Sequence, residues 1–315
     1  MSGIFTETFI VGLLATSVAA ATPLLLAGLA ESVSQRTGVI NVGIEGYMLM
    51  GAFFGYLVSH YTGNVWVATL GGMVAGVVIA LIAAYTMISR YADQIVTGLG
   101  IMILAVGITS TAYRSIFSED GSFQPERVPV ESFSEWSIPG LSSIPWIGEI
   151  FFQQVPIVYL GYLAVPLAIW LMRSEWGLII RAAGENPEAL ESTGANAIRV
   201  RYLAVLGTGA MSALGGVFLS IGQTTTFSEG LVGGRGFIAL GVAIVGRRNP
   251  IGVLIAALVF AIADSLQLWL PTAGIDVPQQ LLAMLPYIVT LIALAGMLGK
   301  VRHPAAFLKP YVRQE

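Results

Sequence analysis

Eight stretches of the chain are apolar for about the length a helix needs to cross a bilayer, and this restricts the fold more than any motif does. A hydrocarbon core about 30 Å thick takes roughly 20 helical residues. Residues 8–30, 43–60, 65–89, 95–113, 155–172, 202–222, 250–270 and 281–299 meet or approach that length. Lipid offers no partner to backbone N–H and C=O groups, so spans of this kind are helical. The expected fold is an all-α polytopic membrane protein, a single transmembrane domain over residues 1–315. Charged residues make up only 10% of the chain, against the roughly 25% of a soluble domain.

A ninth apolar stretch, "GFIALGVAIVG" at 236–246, is too short to span. It follows the glycine-rich "EGLVGGRG" and reads as a broken or re-entrant helix, a form tolerated only where backbone is buried or lines a cavity. The span at 43–60 also follows an irregular glycine-containing start, "GVINVGIEG", which hints at two related halves. Gly72 and Gly76, four apart in the third span, fit close helix packing. The start of the chain, "MSGIFTETF", lacks the basic residues of a secretory signal, so the first apolar run reads as a retained span.

Orientation follows from lysine and arginine. The tail carries Lys300, Arg302, Lys309 and Arg313, the 173–201 loop carries Arg173, Arg181, Arg199 and Arg201, and Arg247 and Arg248 precede the 250–270 span. All three are expected inside. Segment 114–154 has six acidic residues against Arg114 and Arg127 and is expected outside, as a small cap. Counting back from a cytoplasmic C-terminus gives an external N-terminus, with nine crossings if 236–246 counts as one.

The net charge of −3, with scattered basic residues, argues against a nucleic-acid partner. Zero cysteines exclude disulfides and thiol chemistry. His60 and His303 lie at or beyond span ends, and no catalytic triad, metal spacing or phosphate loop is present. An enzyme is not expected. What remains is a set of polar groups in or beside apolar spans, where they are costly and point to function. Asn41 and Glu45 open the second span, Gln94 and Thr97 open the fourth, and Asp264 and Gln267 sit toward the outer end of 250–270. Each has a plainer reading: Glu45 reaching interfacial water or pairing with Arg36, Gln94 and Thr97 capping a helix, and Asp264 making a helix-packing hydrogen bond.

One hydrophilic stretch, "GENPEALESTGA" at Gly184–Ala195, is marked at both ends. Asn186 is an N-cap, Pro187 fits the first helical position, Glu188 complements the helix dipole, and Gly194 supplies the stop. The spacing predicts a helix from Pro187 to Thr193. So short a helix is marginal alone, so it is expected to dock onto something.

Four separated blocks, "TGVINVGIEGYMLMGA" (Thr37–Ala52), "ADQIVTGLGIMILAVGITS" (Ala92–Ser110), "IRAAGENPEALESTGANAIRVRYLAV" (Ile180–Val205) and "GRGFIALGVAIVGRRNPIG" (Gly234–Gly252), resemble the permease subunits of bacterial ABC importers. The branch takes up simple sugars, nucleosides and branched-chain amino acids, and the nucleoside type, for guanosine or purine nucleosides, is nearest. The resemblance implies a fold similar to the vitamin B12-type permeases, in a bacterial cell membrane. It makes Gly184–Ala195 a cytoplasmic coupling helix seated in a groove of a separate ATPase. Ala189 and Leu190 would contact that groove, and Glu185, Glu188 and Glu191 would lie at its rim. ATP and Mg would be used by that ATPase, with no cofactor on this chain. A second, non-identical permease and an extracytoplasmic substrate-binding lipoprotein are the other implied partners, besides membrane lipid. Met102 stands where the family pattern leads one to expect asparagine. Rival readings are a permease for ribose or another simple sugar, and an ion-coupled secondary transporter using Glu45 or Asp264.

Overall fold

The computed structural model describes residues 6–118, 125–274, 278–296 and 303–312. Its axis is α1 (Glu7–Arg36), a 30-residue helix buried along most of its inner half. At 1.5 Å per residue it reaches roughly 45 Å, longer than the hydrocarbon core. One side of α1 packs on α9 (Ala197–Val217), which joins α2 (Ile44–Thr62) and α3 (Val65–Ala84) in a tightly apposed trio. Both α3 and α9 run on into π-helical segments, Tyr85–Ser89 and Phe218–Thr224. Small residues set the trio's spacing: a Cβ on Gly72 would overlap Val217 and the Gly51 carbonyl, and one on Gly76 would overlap Ala213. The packing reading of Gly72 and Gly76 is therefore the observed one.

The other side of α1 carries α10 (Arg235–Val245) and α11 (Pro250–Thr272). Peripheral positions go to α4 (Gln94–Phe117) and α6 (Pro156–Arg173). Side-chain caps fix several starts: Asn64 for α3, Asp93 for α4, Asn196 for α9 and Asn249 for α11 accept from the next backbone N–H groups. The cap of α4 is thus Asp93, not Gln94.

Among the described residues, six helices are long and apolar enough to cross a membrane, where the sequence suggested eight spans. The 43–60 stretch forms α2, which has the length but is less apolar. The 281–299 stretch is broken at Met284, before Pro286, into α12 (Gln279–Ala283) and α13 (Leu285–Gly296), because proline cannot continue the backbone hydrogen bonding of a preceding helix. Residues 297–299 lie outside the described residues.

Segment 125–155 forms a cap over one end of the bundle. It contains α5 (Ile147–Phe151) and a two-residue antiparallel pairing of β1 (Trp136–Ser137) with β2 (Gln153–Gln154). The cap is tied down by Tyr56 Oη donating to Val128 O (2.8 Å), Ser59 Oγ to Glu131 O (3.0 Å) and Val130 N to Thr225 O (3.0 Å). Beneath it Tyr56, Tyr113, Phe117 and Phe227 form an aromatic cluster. The opposite end carries α7 (Glu175–Glu185), α8 (Pro187–Ser192) and the C-terminal segment 303–312.

Candidate functional site

The short apolar stretch is a half-helix: the eleven residues of α10 reach roughly 16 Å, about half the hydrocarbon core. Gly234, at φ +85°, lets the descending chain turn into it. Orphan N–H groups at its start are taken by Glu45 of α2: Gly234 N donates to Oε1 (2.8 Å) and Gly236 N to Oε2 (2.7 Å). A carboxylate there also meets the positive end of the helix dipole. Only glycine fits at 236, where a Cβ would overlap the backbone of Glu45. The two glycine-containing starts noted in the sequence, at α2 and α10, thus meet tip to tip.

Beside this junction Arg235 Nη2 lies 3.3 Å from Asp264 Oδ2 of α11, with the two side chains 30% and 23% exposed. Gln267 Nε2 donates to Asp264 Oδ1. Helices α2, α10 and α11 therefore bring Glu45, Arg235, Asp264 and Gln267 together at the start of the half-helix. The cluster offers donors and acceptors to a polar solute and contains no nucleophile with a base. No group of three His, Cys, Asp or Glu that could hold a metal occurs among the described residues.

At the other candidate site, the end signals of α8 are realised. Asn186 Oδ1 accepts from Ala189 N (3.0 Å), Pro187 is the first helical residue, and Gly194 turns at φ +87°. The helix stops at Ser192, with Thr193 as its C-cap. Leu190 is not presented outward as the sequence suggested: it is 5% exposed and packs with Ala183, Ala197 and Tyr311. Glu185, Asn186, Glu188 and Ala189 form the exposed side, with Ser192.

The C-terminal segment straps this unit to the body of the protein. Ala305 N donates to Glu185 Oε2 (3.2 Å), Ala306 N to Gly184 O (2.8 Å) and Leu308 N to Gly38 O (3.0 Å). Arg201, buried, donates to Thr37 O (3.1 Å), Lys309 O (3.2 Å) and Ala183 O (3.4 Å). Arg248 reaches His303 Nδ1 (2.7 Å) and lies over the Phe307 ring. Burial, and then the charge of Arg36, pull the Arg248 guanidinium below its ordinary value; burial and Arg248 do the same to His303.

Residues 13–294 match the family described as branched-chain amino acid transport system / permease component. The chain belongs to this permease family. It is 38% identical to the guanosine ABC transporter permease protein NupQ of Bacillus subtilis, over 93% of this chain and 94% of that one. It is 33% identical to the nucleoside ABC transporter permease protein NupC of Lactococcus lactis, again over 93% and 94%. A Haloferax volcanii chain named for glucose transport, TsgC13, is 33% identical over 98% of this chain and 99% of that one. Among solved structures, a metal-chelate type ABC transporter in an inward-facing conformation gives a TM-score of 0.49 at 15% identity, over 90% of this chain and 85% of that one. The permease is a multi-pass membrane transport subunit and not an enzyme. ABC permeases work with a separate ATPase, which fits the absence of a phosphate loop.

Other predicted residues of the permease fall as follows. Glu45 does not pair with Arg36, whose Nε donates instead to Arg248 O (2.9 Å). Asn41 is buried and donates to Glu31 Oε2 (2.8 Å) and Ser34 Oγ (2.9 Å). Gln94 neither caps nor faces the cluster: its Oε1 accepts from Ile40 N (2.9 Å), fixing the α1–α2 connection. Met102 backs onto Gly46, one residue from Glu45. Thr97 is half-buried on α4, and the Glu45–Asp264 cluster does not include it.

Sequence reasoning missed Glu31, which is fully buried and accepts from Asn41 N (3.1 Å), Asn41 Nδ2 (2.8 Å) and Gln35 Nε2 (3.0 Å). Gln35 in turn accepts from Arg248 Nε (3.0 Å). The apolar run ends at residue 30, so Glu31 reads as a loop carboxylate. The available signal was the i, i+4 spacing of Glu31 and Gln35, which continues the helix. Arg235, the partner of Asp264, was likewise hidden inside a glycine-rich loop.

Proposed function

We propose that this permease moves a nucleoside inward across a bacterial cell membrane, with a separate ATPase supplying the energy. The similarity to two nucleoside permeases over 93% of the chain carries the substrate class. The Glu45–Arg235–Asp264–Gln267 cluster supports a route for a polar, uncharged solute, since it supplies both donors and acceptors at the tip of a half-helix. The route follows the α10–α11 side of α1. The charge balance of the loops supports a cytoplasmic C-terminus and α8, and an external cap at 125–155.

In this reading α8 is the coupling helix, and it meets the ATPase through its exposed side, Glu185, Glu188 and Ala189, while Leu190 anchors it to its own subunit. An extracytoplasmic binding lipoprotein delivers substrate to the cap and to the adjoining turn. That turn is residues 224–235, in which Phe227 and Val232 are buried while Glu229 and Gly230 are exposed. A second, non-identical permease completes the pathway, and ATP and Mg reside on the ATPase. The 33% identity to a chain named for glucose keeps a simple-sugar permease as the second reading.

The test is uptake of labelled guanosine by cells with and without the gene. Loss of uptake on deletion, with competition by unlabelled nucleosides and none by glucose or ribose, is expected. Competition by sugars alone would give the second reading.

A further inference from the structure

The cap joins two unlike surfaces in one segment. Residues 125–135 carry four charged side chains, Glu126, Arg127, Glu131 and Glu135, whereas residues 136–152 carry one, Glu149. In that second half Trp136, Leu141, Ile144, Trp146, Ile147 and Phe151 are exposed, Trp136 by 63% and Ile147 by 50%. Single apolar residues on a surface are ordinary, but so dense a run of large ones marks contact with a protein or a membrane.

Contacts to two spans fix the depth of this half. Gln154 Nε2, in β2, donates to Ala15 O (3.4 Å), and Ala15 lies inside the apolar run 8–30 of α1 rather than beyond its end. With 18 residues, α6 reaches roughly 27 Å, about the hydrocarbon thickness, which sets its first turns at the cap-side boundary. From those turns Tyr159 Oη donates to Trp136 O (2.6 Å) and Tyr162 Oη to Phe151 O (3.3 Å). The segment therefore stands at the flank of the spans, where the exposed stripe of α6, Leu160, Leu163, Leu167 and Trp170, begins. Its backbone is supplied with internal partners: Ile138 N donates to Phe152 O (3.1 Å), Ser142 N to Ile138 O (3.0 Å), Gly148 N to Ile144 O (2.8 Å) and Ile150 N to Trp146 O (3.1 Å). A loop bathed in water has little need of such pairing, and a segment beside lipid does.

We propose that residues 136–152 lie in the headgroup region on the cap side of the bilayer, with their exposed apolar side chains set into phospholipid. Tryptophan favours that region, being apolar in body and polar at its N–H, and an amphipathic segment there sinks roughly 5–10 Å. A protein partner fits less well, since it approaches from water above the spans while the patch lies at their flank. Anchored in this way, the segment holds the cap at a fixed height through the β1–β2 pairing. The charged residues 125–135 and the 224–235 turn are then left to meet a soluble partner. This placement requires α1 and α6 to be spans and is independent of the solute transported.

The chain has no cysteine, so single nitroxide labels report one position each. Leu141→Cys, Ile147→Cys and, as a reference in the charged half, Ser134→Cys are labelled in the full permease complex in vesicles of phosphatidylethanolamine and phosphatidylglycerol. Spin relaxation by oxygen, which partitions into lipid, is compared with relaxation by a water-soluble nickel chelate. Expected is a severalfold higher oxygen-to-nickel ratio at 141 and 147 than at 134. Equal ratios at the three positions would overturn the proposal. So would labels at 141 and 147 that are open to nickel in vesicles and lose mobility only when the binding lipoprotein is added. In a second measurement without labels, Trp136→Phe should leave the tryptophan emission quenched by aqueous iodide unchanged; a fall would return the patch to water.

Discussion

Asp264 shows how a single side chain can be costly by hydropathy and yet well placed. It is paired with Arg235 and Gln267, so replacing it by leucine strands a partly exposed guanidinium in an apolar bundle. Asp264→Leu is expected to reduce substrate uptake by roughly tenfold or more while leaving ATPase association intact, since an unpaired charge is harder to keep than the pair. Arg235→Leu combined with Asp264→Leu should recover membrane abundance and not uptake. Normal transport by the single variant would make the pair a packing device only. Gly236→Ala should be severe for a different reason, as the added Cβ overlaps Glu45, and overpacking costs roughly 1–3 kcal/mol; thermal unfolding in detergent measures it.

His303 gives a pH dependence at the same scale. Burial, and then the Arg248 guanidinium that its Nδ1 faces, hold its pKa below the ordinary 6.5, so the docked segment carries a neutral imidazole. The undocked segment binds a proton more readily. Docking strength is therefore present above about pH 6.5 and is lost as pH falls from there toward the lower, docked value. Protease cleavage within 303–312 should rise between pH 7.5 and 6 beyond the change seen in unstructured peptide, and His303→Phe should abolish that rise. An unchanged difference in that variant would assign the effect elsewhere.

At the scale of the element, α8 separates two roles that a sequence reading merges. Its outer side carries Ala189, and its inner side carries Leu190 against Ala183, Ala197 and Tyr311. Ala189→Arg should block ATPase co-purification at unchanged permease abundance, whereas Leu190→Asp should lower abundance first, by burying a carboxylate at a cost of several kcal/mol. Ala189→Gly is the milder form, worth roughly 1 kcal/mol of helix propensity. Membrane abundance and co-purification measured together distinguish these outcomes; equal loss of abundance in both variants would remove the distinction. The caps at Asn186 and Gly194 were legible because capping is local chemistry. Which side of six residues faces inward was not, since it depends on Tyr311, more than a hundred residues away.

At the scale of the whole molecule, sidedness follows from the opposed charge balance of the two ends. A reporter fused after Ser122 should read as external and one after Glu315 as cytoplasmic; both fusion points lie outside the described residues. An external C-terminus would invert the map, placing α8 on the wrong side for any ATPase.

The sequence by itself determined that the chain is helical and crosses a membrane, where several spans begin, that 236–246 is a half-helix, and that a short capped helix stands apart. Those properties depend on hydropathy, length and N-cap chemistry within a few residues. Tertiary structure alone decided that Glu45 caps α10, that Asp264 meets Arg235 and that Glu31 is buried under Asn41. It also turned Leu190 inward. These residues come from helices far apart in the chain, and no local pattern encodes which polar group on one helix will satisfy an orphan donor or acceptor on another.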